Sequence, residues 1–233
     1  MKKIASILTA VILISLIWFI WHNQKEKQNP VIIALGDSLT NGVGDENGEG
    51  YLDLIEKQLD KNSNKNVSIW NYGIPGQETD GVLKQLEDER LNTKLDKADY
   101  FIVFIGTNDL INSNGGDLHP LHEQRIDKAK PEFKRNLTKI LHTLEKKNKD
   151  APILVLGLYN PFPAGNDIEK QIVDWDRTIK NTIEDDKRIV YIPTNDLFKH
   201  KEKQRYFSDE LHPNENGYKL IANRILERYG FNM

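Results

Sequence analysis

The sequence predicts an α/β fold, a five-stranded parallel sheet enclosed between two helical layers, and three observations support this. Short apolar runs recur five times along the chain, most of them close on glycine or proline, and the stretches between them are longer and amphipathic or polar. A strand that is apolar on both sides must be covered on both faces, and helical crossovers join parallel neighbours, so the pattern reads as a doubly wound three-layer sandwich.

The five runs are VIIALG (31–36), VSIWNYG (67–73), YFIVFIG (100–106), ILVLGL (153–158) and RIVYIP (188–193). Each is short enough for a strand and too continuous for one exposed face. The intervening helices follow from residues that share a face: Leu52, Ile55 and Leu59, then Val82 and Leu86, then Phe133, Leu137, Ile140, Leu141 and Leu144. Ile168, Ile172, Trp175, Ile179 and Ile183 make a fourth set, and Asn214 before Glu215 caps a last helix carrying Tyr218, Ile221 and Ile225. The stretch from Ile111 to Lys130 reads as a loop, and no internal repeat or low-complexity tract interrupts the pattern.

Ahead of the first strand, Ile4 to Trp21 is an uncharged run of eighteen residues, with Lys2 and Lys3 before it and HNQKEKQNP after it. As a helix it spans about 27 Å, close to the hydrocarbon thickness, and Trp18 and Trp21 suit the interfacial belt. No small-residue cleavage site follows, so residues 1–29 read as an uncleaved signal-anchor helix and linker, N-terminus inside, with the rest of the chain outside the cytoplasm. The alternative is secretion. Residues 30–233 then form a single globular domain. Hydrophobic residues at 38% and charged residues at 29% fit a folded body, and a net charge of −3 with scattered cations gives no footprint for nucleic acid. The chain has no cysteine, which removes disulfides, thiolate nucleophiles and cysteine zinc sites. Oligomeric state is not legible.

In open parallel sheets the crevice lies at the carboxyl ends of the strands. There the sequence places Gly36-Asp37-Ser38-Leu39-Thr40, then Gly73, then Gly106-Thr107-Asn108-Asp109, and after the fifth strand Ser208 to Asn214. A serine hydroxyl is a poor nucleophile near neutral pH and needs an imidazole to take its proton and a carboxylate to hold that ring. Ser38, His212 and Asp209 fit these roles, with two residues between acid and base. The negative charge that builds on an attacked carbonyl calls for donors already in place, and the amides of Ser38 and Gly73 with the Asn108 side chain are the candidates. Glycine at 73 leaves room for close approach of substrate. Asp37 and Asp109 read as structural, holding the nucleophile turn and the Asn108 loop.

These blocks resemble the GDSL or SGNH hydrolases: GDSLT at 36–40, the glycine at 73, GTND at 106–109 and DELHPN at 209–214 stand in that family's order. The resemblance covers residues 31 to about 229. It implies a flavodoxin-like α/β/α sandwich with strand order 2-1-3-4-5, a metal-free and cofactor-free serine esterase mechanism, an oxyanion hole from Ser38, Gly73 and Asn108, and an SGNH hydrolase domain over 30–233. The implied substrates are acyl esters of the lipase, lysophospholipase or carboxylesterase type. A carbohydrate acetyl esterase acting on cell-wall polymers is the alternative, and a non-catalytic binding module is a third reading whose signature, a broken triad, is missing. Leu110, Tyr159 and Phe162, with Leu118 and Leu121, are candidates to line an acyl groove or else to pack loops.

Other residues carry blander readings. His119 and His122 flank Pro120, which disfavours a helical metal pair, and no third ligand declares itself. His142 and His200 lie in lysine-rich surroundings and read as surface residues. Gly42, Gly44, Gly48 and Gly50 do not match a phosphate-binding loop and read as a mobile loop beside the nucleophile.

Overall fold

A computed structural model of the chain describes residues 29–62, 66–162, 167–183 and 186–232, together with Ile14, Ser15 and Trp18. The anchor expected over residues 4–21 lies outside the described residues but for those three. Among the described residues no helix is long and apolar enough to cross a membrane.

The chain runs β1 (Val31–Gly36), α1 (Ser38–Asn41), α2 (Gly50–Asn62), β2 (Ser68–Gly73), α3 (Thr79–Glu87), α4 (Glu89–Asn92) and β3 (Tyr100–Phe104). It continues through α5 (Thr107–Asn114), α6 (Glu123–Lys147), β4 (Ile153–Leu156), α7 (Ile168–Ile183), β5 (Ile189–Ile192), α8 (Lys203–Tyr206) and α9 (Glu215–Arg228). All strand pairs are parallel and the sheet order is β2-β1-β3-β4-β5. The chain thus reverses direction of travel across the sheet at β1, which opens a crevice at its carboxyl end. There the register sets Gly36 opposite both Gly73 and Phe104.

The period-2 alternation of β1 sorts its side chains between two cores. Ile33 and Leu35 join Val103, Val155, Leu137, Ile140 and Trp175 under α3, α6 and α7, whereas Ile32 and Ala34 join Ile102, Leu154, Tyr51, Ile55 and Ile221 under α2 and α9. The central strands β1, β3 and β4 are buried almost throughout; β2 and β5 are partly exposed because each lies at a sheet edge. Asn214 caps α9 as its position predicts, accepting from the amides of Asn216 and Gly217 at 3.0 and 3.2 Å.

The stretch expected as a loop over 111–130 is instead largely helical. Helix α5 runs to Asn114, and α6 begins at Glu123 and continues through Pro131. Between them the Asn114 side chain donates to the carbonyls of Asp117 and Pro120 and accepts from the His122 amide, fixing the connection. Asn148, at the end of α6, works similarly at the far end of the sheet. Its amide donates to the carbonyls of Ala98 and Leu95, and its oxygen accepts from Asp150 and Ala151. Because those groups are mostly buried, Asn148→Ala leaves several without partners and should cost about 2–4 kcal/mol, on the scale of one to three per unsatisfied group. Urea unfolding checks this, and a loss below about 1 kcal/mol would show that water replaces the side chain.

Candidate active site

Ser38 opens α1 directly after β1. Asp37 caps that short helix, its Oδ1 accepting from the Leu39 amide at 2.9 Å, and Ser38 is left 6% exposed at the crevice. His212 reaches it across the sheet edge, with Nε2 lying 3.0 Å from Ser38 Oγ and Nδ1 lying 2.7 Å from Asp209 Oδ2. With a carboxylate facing Nδ1, the proton sits there, and Nε2 is left as an acceptor toward the hydroxyl. The structure therefore brings Ser38, His212 and Asp209 into one line of hydrogen bonds.

Asp209 is oriented by more than the ring. Its Oδ1 accepts from the Leu211 and His212 amides, both at 2.7 Å. Burial, the largest single influence, acts to raise its pKa, yet these amides and the imidazole outweigh it and hold the carboxyl below its ordinary value. The surrounding loop is pinned on several sides. The Ser208 amide donates to the His212 carbonyl (2.9 Å), Tyr159 Oη donates to the Leu211 carbonyl (2.8 Å), and Lys203 Nζ donates to the Glu210 carbonyl (2.7 Å).

Gly73 and Asn108, the other predicted donors, lie beside the nucleophile turn, and both are engaged. The Gly73 amide donates to Asn71 Oδ1 at 2.9 Å. Asn108 Nδ2 donates to the Gln77 carbonyl at 3.0 Å and to Asp37 Oδ2 at 3.4 Å. The reason for glycine at 73 also differs from the expected one. A Cβ there would sit 2.4 Å from the Asn41 amide and 2.8 Å from the Asp37 carbonyl, so the close approach seen in the structure is to the Ser38 turn.

Two carboxyls lie beneath this floor. Burial pushes Asp37 up to about 7, opposed by the Leu39 amide and reinforced by the charge of Asp109. Burial likewise pushes Asp109 up to about 6 against the hydroxyl and amide of Thr79, which its carboxylate accepts from. Asp109 thereby ties the start of α5, which carries Asn108, to the start of α3.

Three sequence expectations change. Leu110 and Tyr159 are 3% and 5% exposed and belong to the two cores, Tyr159 packing on Phe198 and Phe207, so neither lines an open groove. Leu118 is buried as well, whereas Leu121 and Phe162 stay partly exposed, Phe162 on a cavity beside the His212 loop. An exposed apolar side chain the sequence did not single out is Ile74, 46% exposed immediately after Gly73 at the carboxyl end of a strand. The glycine-rich loop 42–50 is not free either. Asp45 accepts from the amides of Asn47 and Gly50, and Tyr218 Oη grips the Val43 carbonyl at 2.6 Å. Gly44, at φ +99°, packs so tightly on the His212 loop that a Cβ would fall 2.5 Å from Pro213 O and 2.8 Å from His212 Cβ. Among the described residues no group of three or more histidine and carboxylate side chains is placed to hold a metal.

Comparison with known proteins bears on this geometry. A family model described as the GDSL-like lipase/acylhydrolase family matches residues 34–220. The chain is 31% identical over 213 residues to the uncharacterized protein YpmR of Bacillus subtilis, covering 88% of this chain and 84% of that one. It is 30% identical over 197 residues to the spore germination lipase LipC of Bacillus licheniformis, covering 82% and 92%. Among solved structures, the lipase Lip_vut3 from a goat rumen metagenome superposes with a TM-score of 0.77 at 26% identity, covering 86% of this chain and 97% of its own.

Two outcomes follow from the packing and the buried charge. Gly44→Ala and Gly48→Ala both force a side chain onto a positive φ, but nothing lies within 4 Å of a Cβ at 48. Gly44→Ala should therefore lose about 1–3 kcal/mol more in urea unfolding, the usual cost of overpacking, and equal losses would remove the brace. Asp37 and Asp109 hold protons in the folded state that the unfolded chain releases from about pH 4. Their burial thus costs nothing below that pH, and stability falls as pH rises toward 7. Asp37→Asn should flatten this fall, and unfolding midpoints of variant and parent that run parallel from pH 4 to 7 would contradict it.

Proposed function

The chain belongs to the GDSL-like lipase/acylhydrolase family, and from that premise we propose that it is a serine ester hydrolase that cleaves acyl esters of the lipase, lysophospholipase or carboxylesterase type through an acyl-enzyme on Ser38. The observation that carries this reading is the unbroken line from Asp209 through His212 to Ser38. Similarity to the two proteins named as lipases favours an acyl ester over a carbohydrate acetate.

In this reading Ser38 Oγ attacks the ester carbonyl while His212 Nε2 takes its proton, and Asp209 stabilises the imidazolium that forms. The oxygen that becomes negative is met by the amides of Ser38 and Gly73 and by Asn108 Nδ2. A charged oxygen is a stronger acceptor than the Asn71 and Gln77 groups that occupy two of these donors at rest, so the donors switch partners as charge develops. The imidazolium then protonates the leaving alcohol. Water repeats the sequence on the acyl-enzyme, with the same base, and frees the acid.

Ile74, exposed next to Gly73, is the apolar side chain we assign to contact with the substrate's acyl portion, and Phe162 is assigned to its alcohol portion. Residues 30–233 form the hydrolase domain, tethered through residues 4–21 and facing outward from the membrane. Ester hydrolysis by Ser38→Ala should fall to background with an unchanged unfolding midpoint, and Asn108→Ala should lower kcat by about 10² to 10³-fold. Fluorophosphonate labelling with the modified peptide identified by mass spectrometry is the check. A label on any residue other than Ser38, or parent-like turnover by the alanine variant, would refute the mechanism.

A further inference from the structure

A cavity of about 300 Å³ opens beside the 206–214 loop, away from Ser38, lined by Phe162, Phe198 and Phe207 and by His200, Lys201 and Lys203. Its composition is unusual for a chain of net charge −3. From 199 to 205 the sequence reads KHKEKQR, five cationic or protonatable side chains against one glutamate, and Lys199 alone of them is spoken for by Glu169, at 2.8 Å. Lys203 is drawn inward over the rings of Phe162 and Phe207, at 4.8 and 5.9 Å, and its hydrogen-bond acceptor is a main-chain carbonyl, that of Glu210. Desolvation is the strongest influence on it and lowers its pKa, with Glu210 and Asp209 acting the other way. Glu210 is the carboxylate that acts most on Lys203, and Asp209, the next, is already committed to His212 and two amides. Lys201 lies over Tyr206 at 5.2 Å with its ammonium exposed.

Cationic walls on an aromatic floor suit a ligand with an anionic group joined to an apolar body. The site also lies one loop's width from the reacting centre. Residues 206–214 fold back on themselves, with the Asn214 amide bonded to the Tyr206 carbonyl, so that His212 faces Ser38 while Phe207 and Lys203 face the cavity. We propose that this cavity is a subsite for an anionic group, a phosphate monoester or carboxylate, carried on the alcohol portion of the ester substrate, recognised by Lys201, Lys203 and His200. It rests on the ester-hydrolase reading and narrows it to anionic esters.

The experiment compares esters that share one acyl chain and differ in the alcohol: a neutral glycerol ester, a glycerophosphate ester, a carboxylate-bearing ester and a choline ester. The anionic pair should exceed the neutral ester in kcat/KM by about tenfold at low ionic strength, about the worth of one charge-assisted contact. That advantage should shrink as salt is raised, and the choline ester should gain nothing. Lys201→Glu should erase the ratio of anionic to neutral turnover, and His200→Asn, which keeps a residue tolerant of the positive φ at this position, should reduce it. Preference for the glycerophosphate over the carboxylate ester identifies the group. Equal turnover of neutral and anionic esters, or a ratio that survives Lys201→Glu, overturns the subsite and leaves the hydrolase reading standing. Should no ester be cleaved, calorimetry with glycerol phosphate decides separately: binding that Lys201→Glu abolishes keeps the subsite without the hydrolase, and no binding removes both.

Discussion

The contact between Ser38 Oγ and His212 Nε2 joins residues 174 positions apart, and much of the molecule's architecture serves to keep it at 3.0 Å. Neither partner is near the other until the sheet has formed, because Ser38 is delivered by β1, an interior strand, and His212 by a loop that follows β5 at the sheet's edge. A parallel sheet makes this convergence natural, since every strand discharges its chain at the same edge. The remaining ångström is set by local devices. Asn214 starts α9 and fixes one end of the loop, Tyr159 and Lys203 hold the carbonyls of Leu211 and Glu210, and Gly44 presses against His212 from the nucleophile's own side.

The floor of the site trades stability for position. Two carboxyls, Asp37 and Asp109, are buried beside Asn108 and the Ser38 turn, and burial raises the pKa of both. A hydrophobic pair would fill the space at less electrostatic cost. What the carboxyls supply is direction: Asp37 fixes the Leu39 amide and reaches Asn108, and Asp109 fastens α5 to Thr79. Sites that must hold polar groups in set orientations commonly depart from the composition that packing alone would favour.

The sheet, the main helices and the chain positions of Ser38, Asp209 and His212 stood out in the sequence because each is written locally. Short continuous apolar runs against a 3.6-residue period separate strand from helix, and the strand-end blocks stand in chain order. What depends on partners distant in the chain was not legible. Leu110 and Tyr159 look like groove residues until α6 and the Phe198–Phe207 pair are packed against them, whereas Ile74 looks ordinary until its strand end proves open. Helix α6 extends through Pro131 because tertiary burial of Ile126 and Phe133 outweighs the local penalty of a proline. The role of Gly73 was read in the right place for the wrong neighbour, since only the folded chain shows that Asn41 and Asp37 crowd it.

The exposure of Asp209 gives a last reason to read the site as built on geometry more than on charge. Its side chain is 53% exposed, against 20% for His212, so water screens its attraction for the imidazole and the pair stabilises the fold little. An acid whose work was purely electrostatic would be better placed out of solvent. Here two main-chain amides hold one carboxylate oxygen so that the other meets Nδ1 at 2.7 Å, which fixes the ring's tautomer and tilt whatever the salt concentration. That arrangement explains why acid and base lie only three positions apart. A short turn can supply both amides and both side chains, and the line of hydrogen bonds then depends on the rest of the protein for a single distance, the one to Ser38.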